Sequence, residues 1–272
     1  MHSTLKYFLI GYAKPMQDKG LYINISTLKK RSNMKKIPTG IPGLDKLLDG
    51  GLRENSFVLV SGVPGTGKTI FGLQFALEGM QSKEKSLIIC TEESIESLKN
   101  HARELKLDLD AYEKKKLLFF VQQQISDKKL ISLATPISLI KKEGIKRVVL
   151  DSLTLFKYIH MAGTMDFRRE LLSFLNLMRD AGVTLLVTAE RARAELDSLE
   201  FKSYDFLFDG VIILTHIRKG SSYERCITIQ KMRGQSHSMD VHPFAIKEGG
   251  ISVYPDQPPF SLMEQDVTRT AK

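Results

Sequence analysis

The chain has 272 residues, 42% of them hydrophobic, so it can bury a sizeable core and we expect one main domain. Its two cysteines, Cys90 and Cys226, lie inside apolar runs without metal-ligand spacing, which excludes a disulfide scaffold and a zinc site and predicts a reducing cytoplasm. The formal net charge of +9 would suit a nucleic-acid partner only if the basic residues lay on the folded domain.

The excess positive charge lies near the N-terminus. Residues 1–36 carry a net charge of +7, which leaves only +2 for the rest of the chain. We therefore expect a basic extension over residues 1–35, a main domain over 36–254 and a tail over 255–272. The extension is either a solvated arm or a contact for an acidic partner, and Met34 is an alternative start. Its apolar run at 7–13 is too short to span a bilayer, so no membrane association is predicted.

The strongest motif follows a Pro/Gly-rich lead-in, a short helix ending at Leu48 and one predicted strand from Phe57. It fits the phosphate-loop pattern G-x-x-x-x-G-K-[ST], with helical spacing of apolar residues after it, and comprises Gly62, Val63, Pro64, Gly65, Thr66, Gly67, Lys68 and Thr69. Its backbone N–H groups would surround phosphate, Lys68 would neutralise the β- and γ-phosphates, and Thr69 would bind Mg²⁺. The alternative is an ordinary glycine-rich turn.

Two acidic residues follow the next predicted strand, 86–91. Glu92 and Glu93 stand where this strand ends and a helical pattern begins. Because ligands bind at the carboxyl ends of parallel strands, one carboxylate would orient or deprotonate the water that attacks the γ-phosphate. Alternatively, both are acidic residues favoured by the helix dipole. Spacing alone does not decide between these interpretations.

The middle of the chain continues the alternation of strands and helices. It predicts a strand at 117–121, a helix at 128–143 with Pro136 as a break or boundary, a strand at 147–152, a helix at 167–178 and a strand at 183–188. The strand at 147–152 ends in Asp151, which fits the Walker B pattern, and Asp151 would hold Mg²⁺ through a bound water. Thr188 would either sense the phosphate or cap the next turn.

The pattern changes after Thr188. Residues 190–205 are charged and indicate a loop, and four strands follow at 210–216, 225–230, 241–246 and 251–254. Their short polar links predict antiparallel hairpins at one edge of a mainly parallel sheet. Lys231 and Arg233 stand at alternate positions near a strand end and would project from the same face.

Taken together, nine stretches resemble the KaiC family of RecA-like ATPases. They are 39–45, 50–52, the phosphate loop, 91–93, 150–152, 167–171, 187–190, 209–212 and 231–237. A phosphate loop alone would indicate only a superfamily. The Glu-Glu pair, the Arg-Arg-Glu helix at 168–170 and the Lys-x-Arg-Gly-x-Ser-His segment at 231–237 make the resemblance specific.

The resemblance implies a fold, a reaction and an assembly. The fold is a RecA-like P-loop NTPase of the α/β class, with helices on both sides of the sheet. Glu92 and Glu93 match catalytic glutamates, and Lys231 and Arg233 match cations that cross a subunit boundary to a neighbour's γ-phosphate, with His237 near the nucleotide. This implies an ATPase that uses ATP and Mg²⁺ in a hexamer or another ATP-dependent homo-oligomer, with an unidentified protein partner.

The resemblance is partial in two respects. This chain has one such domain, whereas the clock protein has two, and Asp205 and Phe206 occupy the places of the clock protein's phosphorylated Ser-Thr pair. Autophosphorylation and clock function are therefore not inferred.

Two other classes of function are open. A recombinase-like protein would bind DNA through loops that neutralise phosphates, but the segments 153–166 and 190–205 carry net charges of zero and −2, so nucleic-acid binding is disfavoured and only the N-terminal arm supports it. A nucleotide-gated scaffold would bind ATP, assemble and hydrolyse slowly. The sequence does not separate it from a faster ATPase, because small differences in positioning set the rate.

Overall fold

A nine-stranded mixed sheet forms the centre of the structure. The computed structural model describes residues 35–123, 134–153, 156, 167–191, 203–219 and 221–260. The chain divides into two units, 1–34 and 35–272, and all described residues belong to the second. The predicted N-terminal extension thus lies almost wholly outside the described residues.

The strands alternate with helices along the first part of the chain. The strands are β1 (Lys36–Ile37), β2 (Leu52–Arg53), β3 (Phe57–Gly62), β4 (Ser86–Cys90), β5 (Leu118–Gln122), β6 (Arg147–Asp151), β7 (Thr184–Glu190), β8 (Gly210–Lys219), β9 (Ser222–Met232), β10 (Val241–Lys247) and β11 (Gly250–Val253). The helices are α1 (Leu44–Leu47), α2 (Lys68–Gln81), α3 (Ile95–Glu104), α4 (Leu109–Lys114), α5 (Ala134–Glu143) and α6 (Phe167–Asp180), and a short 3-10 helix spans Asp205–Leu207.

The sheet has a parallel half and an antiparallel half. Its order is β11-β10-β9-β8-β3-β7-β6-β4-β5, and β1 pairs separately with β2. Strands β8, β3, β7, β6, β4 and β5 run parallel, whereas β8 through β11 form antiparallel pairs. This confirms the predicted mainly parallel sheet with antiparallel hairpins at one side.

Successive side chains of the strands point alternately into two hydrophobic clusters, one on each face of the sheet. On β3, Val58 and Val60 face the cluster that contains α2 and α3, and Phe57 and Leu59 face the one that contains α6. Strands β3, β4, β6 and β7 are buried on both sides, which explains their nearly continuous apolar sequences. No helix in the described ranges is long and apolar enough to cross a bilayer.

Several predicted boundaries shift. Helix α5 is described over Ala134–Glu143 and contains Pro136, which is therefore not a boundary; the helix start predicted at 128 lies among residues 124–133, outside the described part of the chain. The predicted strands at 210–216 and 225–230 are too short, because the β8–β9 ladder continues through polar positions such as Arg218 opposite Tyr223. Backbone pairing in a hairpin does not require apolar side chains.

The predicted loop at 190–205 is wrong at both ends. Glu190 belongs to β7, and Arg191 and Asp205 are 4% and 0% exposed, paired with each other at 2.6 Å. Charged residues are rarely fully buried unless they are paired, and the sequence context did not reveal this pair. Residues 192–202 lie outside the described part of the chain.

Candidate nucleotide site

Three parallel strands end at one edge of the sheet and bring the predicted phosphate-binding and acidic residues together. The loop 62–69 follows β3, Glu92 follows β4 and Asp151 ends β6. The charges of Glu190, Asp151 and Glu92 all act on the Lys68 ammonium. Since ligands bind at the carboxyl ends of parallel strands, this edge is the natural nucleotide site of the fold.

The phosphate loop has a backbone that side chains would not tolerate. Gly67 precedes α2 with φ 97°, and a Cβ there would lie 2.8 Å from Ile246 Cδ1. A Cβ on Gly62 would lie 2.3 Å from Leu214 O. Within the loop, Thr66 Oγ1 donates to Val63 O at 2.8 Å. The glycines therefore permit both the turn and its close approach to the sheet.

Lys68 is the first residue of α2 and is half-buried. Its Nζ donates to Val63 O at 3.1 Å. Burial lowers the pKa of Lys68, and the carboxylates of Glu190, Asp151 and Glu92 partly offset that effect. An anion at the loop would add a further favourable partner for this ammonium.

Thr69 and Asp151 form a sparse donor set that fits Mg²⁺. The Asp151 carboxylate accepts hydrogen bonds from Thr69 and from Thr188 Oγ1. Burial raises the pKa of Asp151, and these hydrogen bonds partly offset the effect. One hydroxyl and one carboxylate suit an ion held mainly by substrate phosphates and water. Within the described ranges, no group of three or more His, Cys, Asp or Glu could hold a metal alone.

The two adjacent glutamates have different partners. Glu92 Oε1 accepts from Ser152 Oγ at 2.6 Å, beside the end of β6. Glu93 Oε1 accepts from Ser97 Oγ at 2.5 Å and lies 2.8 Å from His101 Nδ1, on the first turns of α3. Glu93 therefore contacts the first turns of α3, whereas the charge of Glu92 acts on Asp151 and Lys68.

The two predicted trans-acting cations rest on one short turn, residues 205–208. Lys231 Nζ donates to Phe208 O at 2.7 Å and to Asp205 O at 3.3 Å, and Arg233 Nη2 donates to Phe206 O at 3.1 Å. Burial and the neighbouring Arg233 charge lower the pKa of Lys231. Arg233 itself is exposed. The backbone of this turn thus sets where both cations are placed.

Arg233 lies level with the end of β3 that is opposite the phosphate loop. Arg233 N donates to Asp209 O and Asp209 N donates to Phe57 O, so Arg233 is level with the first residue of β3. The loop begins at Gly62, the last residue of that strand. Extended chain rises about 3.3 Å per residue, which puts about 16 Å between the two levels. The Arg233 side chain is too far from its own phosphate loop to reach it.

The segment after Arg233 is fixed to the lead-in before β3. Its hydrogen bonds run from Gln235 Nε2 to Leu48 O (2.8 Å) and Gly51 O (2.9 Å), and from Ser238 N to Leu47 O (2.9 Å). Gly234 has φ 72°, a conformation that favours glycine, and a Cβ there would displace the Arg53 guanidinium, whose Nη1 would lie 1.8 Å away. His237 is half-buried, with Nδ1 2.9 Å from Ser238 O.

Most of the amino-acid sequence matches the model of a known protein family. A family model described as the KaiC ATPase matches residues 37–258. The chain belongs to the KaiC family of ATPases.

Relatives of two lengths share this KaiC domain. The circadian clock protein KaiC3 of Synechocystis is 30% identical over 238 residues, which cover 84% of this chain and 47% of KaiC3. A UPF0273 protein of Pyrococcus horikoshii is 31% identical over 239 residues, which cover 82% of this chain and 95% of that protein. The chain therefore spans about half the length of the clock protein and nearly all of the archaeal relative.

A solved structure supports the same KaiC-like fold. The crystal structure of a KaiC-like protein from Pyrococcus horikoshii has a TM-score of 0.70 and 31% sequence identity, covering 82% of this chain and 100% of that chain. The RecA-like fold predicted from the resemblance is thereby confirmed. Family membership also implies nucleotide binding.

Sequence reasoning missed several supporting residues of this KaiC-family site. Ser152 and His101, which contact the two glutamates, had no assigned role. Thr188 was expected to sense the phosphate or to cap the next turn, and its hydroxyl donates to Asp151. Ser152 follows the end of a strand beside the site, a position that could have identified it. His101 offered no comparable sequence signal.

Proposed function

We propose that this protein binds ATP with Mg²⁺ and hydrolyses it at the boundaries between subunits of a hexameric ring. The observation that carries the proposal is the convergence of Lys68, Thr69, Asp151 and Glu92 at one edge of the sheet. Membership of the KaiC ATPase family supports the nucleotide and the reaction. The proposed setting is regulation or signalling in the cytoplasm with a protein partner, and two buried free thiols fit a reducing compartment.

The binding step uses the loop and the start of α2. Backbone N–H groups of residues 62–69 and the positive end of α2 favour phosphate, and Lys68 neutralises the β- and γ-phosphates. Thr69 and Asp151 would hold Mg²⁺, Asp151 through a water molecule. When bound, the ion would help to neutralise the charge that develops during phosphoryl transfer.

Glu92 is the proposed base for the attacking water. It is exposed at the mouth of the site, and Ser152 fixes one of its oxygens. The other oxygen would accept a proton or a hydrogen bond from water in line with the γ-phosphate. Glu93, bound to Ser97 and near His101, supports the helix start that carries this loop.

The placement of Lys231 and Arg233 supports an assembly. Arg233 is far from the phosphate loop of its own chain, so it would serve a site only if a neighbouring subunit presented it. Lys231 is held on the same turn and would be presented with it. A cation delivered in this way offsets charge on the transferred phosphoryl group. Head-to-tail contacts of this kind form a ring when the rotation between neighbouring subunits closes, and a hexamer is the ring proposed here.

A subunit-mixing experiment tests the proposal. Arg233→Ala keeps the base but loses the delivered cation, and Glu92→Gln keeps the cation but loses the base. Each variant alone should lose turnover while binding ATP. When both are mixed as unassembled subunits and then assembled with ATP, about a quarter of the interfaces should combine an intact site with an intact cation, so about a quarter of wild-type turnover should return.

The other outcomes of this experiment identify the alternatives. No recovery, with both variants assembled, would contradict delivery in trans. Assembly with negligible turnover by the wild type would favour the nucleotide-gated scaffold. Loss of Mg²⁺-dependent ATP affinity in Lys68→Ala is the expected control, and unchanged affinity would overturn the nucleotide site itself.

The recombinase alternative gains no support from the described residues. Arg191, one of the cations in the predicted DNA-contacting segment, is buried against Asp205. A side chain in that position is withdrawn from nucleic-acid phosphates. Salt-dependent binding of single-stranded DNA by the full chain would favour this alternative.

A further inference from the structure

A buried ion pair connects the phosphate-loop strand to the turn that carries the trans-acting cations. Arg191 follows β7, and its Nε donates to Ser61 Oγ at 2.7 Å while its Nη2 donates to Asp205 Oδ2 at 2.6 Å. Arg191 N also donates to Gly62 O at 3.1 Å. Arg191 is therefore bonded both to the first residue of the loop and, through its side chain, to the start of the 205–208 turn.

This connection bridges the two ends of β3. Ser61 and Gly62 are at the loop end, whereas Arg233 is level with Phe57 at the opposite end. The 205–208 turn covers the distance between them, because Asp205 binds Arg191 through its side chain and Lys231 through its carbonyl. A shift of Arg191 would move the carbonyls that hold both cations.

Stability alone does not account for this buried ion pair. Taking two charges out of water carries a large desolvation cost, and apolar residues of similar volume often stabilise a core better. Buried pairs of this kind are instead well suited to fix one conformation of the elements that they join. Here the joined elements are the phosphate loop and the turn under Lys231 and Arg233.

We propose that Arg191 and Asp205 are positioning residues that tie the cations offered to the neighbouring subunit to the phosphate loop of their own subunit. This inference rests on the proposed function, since it assumes that Lys231 and Arg233 act in trans. Each subunit would then present its cations in a geometry that its own phosphate loop helps to set. Neighbouring sites around a ring would be coupled as a result.

Subunit mixing separates this role from general stability. Asp205→Asn is combined with one of the two parent variants at a time. In Glu92→Gln/Asp205→Asn it is in the subunit that supplies Arg233 to the recovered sites, called the donor. In Arg233→Ala/Asp205→Asn it is in the subunit that supplies the phosphate loop and Glu92, called the acceptor. We expect about a tenfold loss of the recovered turnover from the donor, because small misplacement of a catalytic group is costly, and less than about a twofold loss from the acceptor. The affinity of each mixture for ATP, measured directly with a fluorescent ATP analogue, should change less than about twofold.

A matched control breaks another Arg–carboxylate pair away from the turn. Glu84 accepts from the buried Arg147 Nε at 2.7 Å, so Glu84→Gln should lower thermal stability without lowering the turnover recovered through the donor. If Asp205→Asn does not fold, Ser61→Ala takes its place, because it removes only the hydroxyl that anchors Arg191. The same donor-specific loss is expected of it.

The outcomes distinguish the two proposals. Equal losses from donor and acceptor, or a loss from the acceptor alone, would overturn the positioning role while leaving delivery in trans intact. If the parent mixture of Arg233→Ala and Glu92→Gln recovers no turnover, delivery in trans fails and the positioning role fails with it. Donor-specific loss in either Asp205→Asn or Ser61→Ala supports the inference.

Discussion

Ser152 Oγ donates a hydrogen bond of 2.6 Å to Glu92 Oε1, which joins the residue after the Walker B aspartate to the first of the two adjacent glutamates. The contact crosses from the end of β6 to the end of β4, which are neighbouring strands. Glu93 points to the side of α3 instead and binds Ser97. The structure therefore gives adjacent carboxylates distinct environments.

We expect Glu92→Gln to be the more damaging of two matched substitutions. Loss of a general base costs about 10²- to 10⁴-fold, so turnover of Glu92→Gln should fall at least about 100-fold. Glu93→Gln retains an acceptor for Ser97 and should lose less than about tenfold. Phosphate release at saturating ATP measures both, with oligomer size followed by light scattering. Equal losses, or a larger loss in Glu93→Gln, would reverse the assignment.

Thr188 provides a test of Asp151 as the carboxylate proposed to hold Mg²⁺. Its hydroxyl donates to Asp151 Oδ1, so Thr188→Val should leave that carboxylate less well oriented. Removal of such a supporting contact typically weakens metal binding 10- to 100-fold. The Mg²⁺ concentration that gives half-maximal ATP binding should therefore rise by about tenfold or more.

The same strand supplies the control for this substitution. Thr184 is also buried on β7, but it stands at the opposite end and accepts from Asn55 N at 2.9 Å. Thr184→Val should cost stability without changing the Mg²⁺ requirement. A similar rise in both variants would mean that the effect is a general one on the fold.

The site motifs could be predicted because each one stands at the end of a parallel strand. The phosphate loop, Glu92 and Asp151 follow short apolar runs, and the parallel order of those strands brings them to one edge. Local pattern and topology agree at these positions. The common position of these motifs was therefore predictable, and their chemistry stays a prediction.

The connection between Arg191 and Asp205 could not be predicted in the same way. Both belong to a charged stretch that is typical of a solvated loop, and only the packing of residues 204–208 against β3 shows that they are buried. The distance of Arg233 from its own loop also depends on β8 lying beside β3, with β9 next in the sheet. The local sequence does not show which strands are neighbours in the sheet.

The two cysteines should be unreactive in the folded protein. Cys90 and Cys226 are buried, and burial raises the pKa of each thiol to about 12. At pH 8 the thiolate fraction would be about 10⁻⁴, and the thiolate is the reactive form. Ellman's reagent should label neither thiol in the native protein and both in guanidinium chloride. Rapid labelling of one thiol without denaturant would contradict this burial.

Arg147 at the start of β6 is the largest of the side chains in the described ranges that are less than 2% exposed. It donates to Glu84 Oε2 at 2.7 Å, to Pro38 O at 2.8 Å and to Phe75 O at 3.2 Å, and its guanidinium lies 4.8 Å from the Phe75 ring centroid. It thereby joins the lead-in, α2 and the turn before β4. Breaking a buried ion pair by removing one partner costs about 3–5 kcal/mol.

Arg147→Met keeps most of the side-chain volume and should lower the free energy of unfolding by about 3 kcal/mol, because a carboxylate and two carbonyls lose their donor. Lys46→Met is the matched control, since the Lys46–Asp256 pair is 64% and 75% exposed, and such pairs contribute about 0–1 kcal/mol. Urea unfolding followed by circular dichroism, without nucleotide and at one protein concentration, measures both variants. Equal midpoints for Arg147→Met and Lys46→Met would show that Arg147 does not hold these three segments together.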